Sequence, residues 1–102
     1  PQGGDRFLRA IQLQQRMARL QEEMAGRTIE SSVGGGMVKV VANGKQEVVS
    51  ITIDREVINP DDAEMLQDLI ISPVNDALKK SQEMMQEEMN KLTGGFKIPG
   101  LF

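Results

Sequence analysis

The first periodic segment runs from about Arg6 to Ala25. It holds neither Pro nor Gly, good helix formers dominate, and Ala10, Leu13, Met17, Leu20 and Met24 recur at spacings of three and four. This predicts an amphipathic helix with a heptad-like apolar seam, closed by Gly26. Leu13, Met17, Leu20 and Met24 are its candidate core or dimer contacts. From Thr28 the period drops to two: Ile29, Ser31 and Val33 share a face, then Val38 and Val40, then Val49, Ile51 and Ile53. Three strands are predicted to follow the helix.

The second and third strands meet at Ala42-Asn43-Gly44-Lys45, where Asn-Gly suits the two positive φ values of a type I′ turn. A two-residue loop pairs Ala42 with Lys45, sets Val38 opposite Val49 and Val40 opposite Glu47, and gathers Val38, Val40, Val49, Ile51 and Ile53 on one face. Asn59-Pro60-Asp61-Asp62 reads as a helix start, with Asn59 as N-cap, Pro60 at the first position and carboxylates near the positive end of the dipole. The second helix extends to about Thr93 on a stripe of Leu66, Ile70, Val74, Ala77, Leu78, Met85, Met89 and Leu92. Pro73 inside it predicts a kink near Leu69 to Pro73 rather than two helices. Gly94-Gly95 ends it, and an apolar tail from Phe96 to Phe102 follows. The order α-β-β-β-α predicts one α+β domain over residues 1–102, built from a three-stranded antiparallel sheet and two long helices. Residues 1–5 are expected to be disordered and 94–102 to form the tail.

Composition adds an expectation of self-association. Three aromatics among 102 residues (Phe7, Phe96 and Phe102) make a thin core, so a homodimer burying the first helix's seam and much of the second helix's stripe is expected. The tail is expected to pack on the sheet or on the partner chain. With no Cys and no His, thiol chemistry, disulfides, the commonest general base and the commonest metal ligand are all excluded. No catalytic residue, metal site or cofactor is assigned. No apolar run approaches the roughly 20 residues of a membrane span, and Pro1 to Arg6 lacks the apolar stretch of a secretory signal, so a cytosolic protein without membrane contact is expected.

Several features mimic active chemistry. Gly34-Gly35-Gly36 joins two strands instead of opening a helix, and Gly44-Lys45 falls in the hairpin without P-loop spacing. Asp54, Glu56, Asp61, Asp62 and Glu64 match no calcium loop, and helix capping accounts for Asp61 and Asp62. Lys79-Lys80-Ser81 are helix neighbours that do not face one another, so they read as solvated surface rather than as a nucleophile. Met17, Met24, Met85 and Met89 fall on apolar stripes and read as packing.

Charge singles out one surface. The chain totals −3, yet residues 1–45 carry seven basic and four acidic side chains, while residues 46–102 carry five and eleven. At about 100° per residue, Arg9, Arg16 and Arg19 lie within an arc of about 80° beside the apolar seam. The bland alternative pairs Arg19 with Glu22 or Glu23 on a solvated face. In a dimer the flank is duplicated and can act locally despite the negative total.

Gln21-Glu22-Glu23-Met24-Ala25, Gly34-Gly35-Gly36-Met37-Val38-Lys39-Val40, Asn43-Gly44, Ile51-Thr52-Ile53-Asp54, Glu64-Met65-Leu66-Gln67-Asp68-Leu69, Val74-Asn75-Asp76-Ala77 and Ile98-Pro99-Gly100-Leu101-Phe102 follow one another along the chain. In these residues the sequence resembles the YbaB/EbfC family of nucleoid-associated proteins. The resemblance implies a small bacterial homodimer of the cytoplasm and nucleoid, whose projecting helices form a tweezer-like shape gripping duplex DNA. It matches Arg6, Arg9, Arg16 and Arg19 to the family's basic first helix, and Lys79 and Lys80 to a basic pair on the second. The expected function is non-enzymatic duplex binding through phosphates, with possible influence on nucleoid organisation and gene expression. The alternative is a dimeric protein-interaction module of replication, repair or targeting machinery.

Overall fold

The computed structural model describes residues 2–94, with side chains from Gly4 onward; the apolar tail lies outside the described residues apart from Gly94. The elements are α1 (Gln2–Gly26), β1 (Thr28–Val33), β2 (Val38–Asn43), β3 (Val48–Ile53) and α2 (Ala63–Leu92), with single 3-10 turns at Gly34–Gly36 and Arg55–Val57. The strands form one antiparallel sheet in the order β1-β2-β3. This is the α+β architecture the hydrophobic pattern predicts. Helix α1 starts earlier than expected: residues 2–5 are helical rather than without structure.

Helix α2 packs across β1 and β2 and barely meets β3. The core is therefore Val38, Val40 and Ala42 on the covered face of β2 against Ala77, with Val74 beside it. Pro73 sits within a single continuous helix, and its side chain is fully buried. Burying the ring supplies apolar contact that offsets its lost backbone hydrogen bond.

The hairpin register departs from the one read off the sequence. Val38 pairs with Ile53 and Val40 with Ile51, four positions away from the expected pairing. Neither Asn43 nor Gly44 has a positive φ; Gln46 does, at 61°. The turn is not type I′ but a four-residue loop, Gly44–Glu47, organised by the Asn43 side chain. That amide oxygen accepts from the backbone N–H of Lys45 (2.9 Å) and of Glu47 (3.2 Å), and its nitrogen donates to Glu47 Oε1 at 2.9 Å. A slip by an even number keeps each side chain on its face, because the strand period is two. Ile51 and Ile53 therefore still share the face of Val38 and Val40. A bulge changes the last pair: Val48 opposes Ala42, and Val49 has no partner of its own.

Both helices hold the loop. Gly44 donates its N–H to Met24 O at 2.8 Å and to Arg27 O at 3.0 Å, satisfying carbonyls at the end of α1. A Cβ at Gly44 would stand 2.9 Å from both Met24 O and Met24 Cβ, so only glycine permits this approach. From α2, the Ser81 hydroxyl donates to Asn43 O at 2.6 Å and accepts from Gln46 N at 2.9 Å. Ser81 is fully buried, not the solvated surface residue that its sequence neighbours suggested.

The second helix also starts later than expected. Asn59 accepts from Asp61 N at 3.0 Å, and its carbonyl accepts from Asp62 N at 2.9 Å, closing a turn that precedes the helix. Asp62, not Asn59, is the N-cap, accepting from Met65 N at 3.2 Å.

Candidate nucleic-acid interface

The molecule is 71 Å long, with a radius of gyration of 19.1 Å against the about 13 Å of a compact chain this size. Helix α1 causes this. Its last turns pack on the hairpin and on α2, where Leu20 and Met24 are buried and Leu13 and Met17 half-buried. Met24 of α1 and Ser81 of α2 meet the same hairpin loop, while Arg16, Arg19 and Leu20 meet Lys91 and Leu92 in one groove, so α1 runs antiparallel to α2. Residues upstream of Arg16 extend beyond Leu92, and there Phe7 (67%) and Leu8 (58%) are exposed.

Arg6, Arg9, Arg16 and Arg19 are all exposed on α1. Among the described residues none of the four makes an ion pair within 4.0 Å, and the local pairing of Arg19 with Glu22 or Glu23 does not form. Lys79 and Lys80 are placed elsewhere. Lys80 lies eleven residues, about 16 Å, back along α2 from Lys91. Its ammonium pairs with Asp76 at 3.1 Å, and Asp76 also accepts from Ser31 Oγ at 2.6 Å. The Ser31 hydroxyl, then Lys80, holds the Asp76 carboxyl below its ordinary value.

Two cations missed by the sequence reading stand at the foot of α1. Arg27 Nη1 reaches Glu88 Oε1 at 3.1 Å, and Lys91 Nζ reaches the same oxygen at 3.3 Å. The Arg27 hydrogen bond, then that of Lys91, lowers the Glu88 carboxyl's pKa. The spacing of Glu88 and Lys91 signalled half of this cluster. Arg27 is 61 positions from Glu88, a contact no local pattern reports.

Among the described residues no three acidic side chains gather to hold a metal ion, and no helix is long and apolar enough to cross a membrane.

The sequence profile of the YbaB/EbfC DNA-binding family matches residues 4–96. A nucleoid-associated protein of Syntrophobacter fumaroxidans is 62% identical over 89 residues, covering 87% of this chain and 81% of that one. One of Pelotomaculum thermopropionicum is 61% identical over 90 residues, covering 88% and 86%. The crystal structure of an uncharacterized protein, HP0035, from Helicobacter pylori superposes with a TM-score of 0.75 at 28% identity, over 83% of this chain and 89% of that one. With the profile spanning most of its length and its order of elements shared with a solved relative, the chain belongs to the YbaB/EbfC DNA-binding family.

Proposed function

We propose that the chain acts as a homodimer that binds duplex DNA at the nucleoid, in the cytoplasm, by presenting the arginine flank of α1 to backbone phosphates. The observation carrying this reading is that Arg9, Arg16 and Arg19 lie exposed on one helix and, among the described residues, without acidic partners. A guanidinium free of an internal carboxylate retains its paired donors for a phosphate. Such contacts position the duplex and carry little sequence information. Arg6 extends the flank toward the tip, while Lys79 and the neutralised Lys80 contribute less. Binding of this kind needs no catalytic group and no cofactor.

The dimer surface we propose differs from the one expected on pattern alone. Leu20 and Met24 are already buried within the chain, so this part of the seam is closed to a second copy. What stays open is the β3 edge of the covered sheet face, where Val48 (41%) and Ile51 (43%) are exposed because α2 lies over β1 and β2. Ile58, Met65 and Ile71 add exposed apolar area from the following segment and α2. Pairing two copies there would duplicate the arginine flank.

The test is retention of random duplex DNA at two salt concentrations. Steeply salt-sensitive retention is expected, abolished by the triple change Arg9→Glu, Arg16→Glu and Arg19→Glu in a protein that stays folded and dimeric. A folded triple variant that binds like wild type would remove the flank from the function. Exposed Phe7 and Leu8 favour a second reading, capture of a protein partner, which salt-insensitive binding of one polypeptide would establish.

A further inference from the structure

The flank of α1 does not end in solvent. Arg9 and Arg16 differ by about 20° around the helix axis, so the flank descends directly into the groove between α1 and the last turns of α2. That groove holds about 330 Å³ and is lined by Arg16, Arg19 and Glu23 from α1 and by Glu88 and Lys91 from α2, with Leu20 and Leu92 beneath. Arg27 adjoins it through Glu88. We propose that this groove is a second phosphate-binding station, in which Lys91 and Arg27 extend the duplex contact from α1 onto the body. This rests on the DNA reading given above.

Three observations carry it. First, charge: Arg16, Arg19, Arg27 and Lys91 against Glu23 and Glu88 leave a local excess of two positive charges in a chain whose total is −3. Second, orientation: the Glu88 side chain is 22% exposed, whereas those of Arg27 and Lys91 are 51% and 64% exposed. The carboxylate thus tethers two cations from below through one oxygen, each by one contact. Most of the five guanidinium and three ammonium donors remain free to face outward. Third, length: from Arg9 to Gly26 the helix rises about 25 Å, or about seven base pairs at 3.4 Å each. A duplex lying along the flank would therefore reach the groove. Glu23 on the α1 wall repels a phosphate and favours its approach between Arg19 and Lys91.

Counterion release provides the readout. Arg9, Arg16 and Arg19 alone, doubled in a dimer, make about six contacts and a log–log salt slope near −5. Adding Arg27 and Lys91 brings about ten contacts and a slope near −9. The experiment measures random-duplex affinity across a salt series for wild type and for the double change Arg27→Gln and Lys91→Gln, with thermal melts confirming the fold. A slope near −9 that falls toward −5 in the double variant is the expected result. If the double variant destabilises the fold, Lys91→Gln alone should reduce the slope by about two, one contact per protomer. Equal slopes in wild type and variant overturn the groove while leaving the α1 flank standing. Wild type without salt-sensitive retention overturns both.

Discussion

The two halves of α1 belong to one continuous helix but are buried to different extents. In the downstream half Leu20 and Met24 are buried, Gly44 closes on the helix end, and the side chains are fixed by the chain itself. In the upstream half Phe7 and Leu8 are exposed. The heptad-like seam is thus buried at Leu20 and Met24, half-buried at Leu13 and Met17, and exposed at Ala10. Apolar periodicity reports which face of a helix can be buried; the fold determines over what length it is buried.

The largest effect should come from breaking the docked half. Met24 is 1% exposed and rests against the only residue type that fits beside it at position 44. Met24→Ala should cost about 2–5 kcal/mol of stability, since it removes a buried side chain and leaves a cavity. Leu8→Ala in the free half should change stability by less than about 0.5 kcal/mol, as for exposed substitutions generally. Denaturant midpoints of the two variants measure the contrast. Equal losses would mean that the upstream half is buried too, most simply by a second copy.

A smaller loss should follow from cutting the hairpin loose. Ser81→Ala removes the hydroxyl that serves both Asn43 O and Gln46 N. Asn43 O and Gln46 N then keep only the 3.3 Å hydrogen bond between them, and the loss costs about 1 kcal/mol. Because the same loop seats Gly44 against Met24, the docked end of α1 should also exchange its amide hydrogens faster, while the upstream half is unchanged. Uniform exchange rates along α1 would remove the distinction between the halves.

What was legible in the sequence follows the range of the interaction that decides it. Helix and strand identities depend on side chains a few residues apart, so α1, the three strands and α2 were readable from periodicity, as were the faces of the strands except at Val48 and Val49, where the bulge puts Val48 rather than Val49 on the face of Ala42. The hairpin register was not: Asn43-Gly44 has the chemistry of a tight turn, but Ser81 and Met24 capture the loop from 38 and 20 positions away. The start of α2 failed for a related reason, since Asn59 uses its side chain within a preceding turn and leaves Asp62 to cap the helix. In the candidate interface the arginines of α1 were visible as a flank. Arg27 was invisible because its partner, Glu88, is brought in only by the antiparallel packing of α1 and α2.

The smallest predicted effect concerns acid, and it again separates the docked body from the free arm. Asp76 and Glu88 both lie on α2, each held below its ordinary pKa of 3.8 and 4.5 respectively, by Ser31 and Lys80 in one case and by Arg27 and Lys91 in the other. A carboxyl with a lowered folded pKa binds protons less readily folded than unfolded. Its contribution to stability is therefore complete above the unfolded value and is lost as pH falls through the folded one. Stability from these two sites should be flat above about pH 5 and decline below 4.5 for Glu88, then below 3.8 for Asp76. Both sites are open to solvent, so salt screens them and the decline should be shallow. The double change Asp76→Asn and Glu88→Gln should lower stability slightly at pH 6, and the difference from wild type should shrink as pH falls below 3.8, as read from denaturant midpoints across a pH series. Among the described residues Arg9, Arg16 and Arg19 have no carboxylate partner within 4.0 Å, so their replacement by Gln should leave the acid limb unchanged. If those replacements shift the limb instead, the flank of α1 carries ion pairs in solution, and its arginines are not free for phosphate.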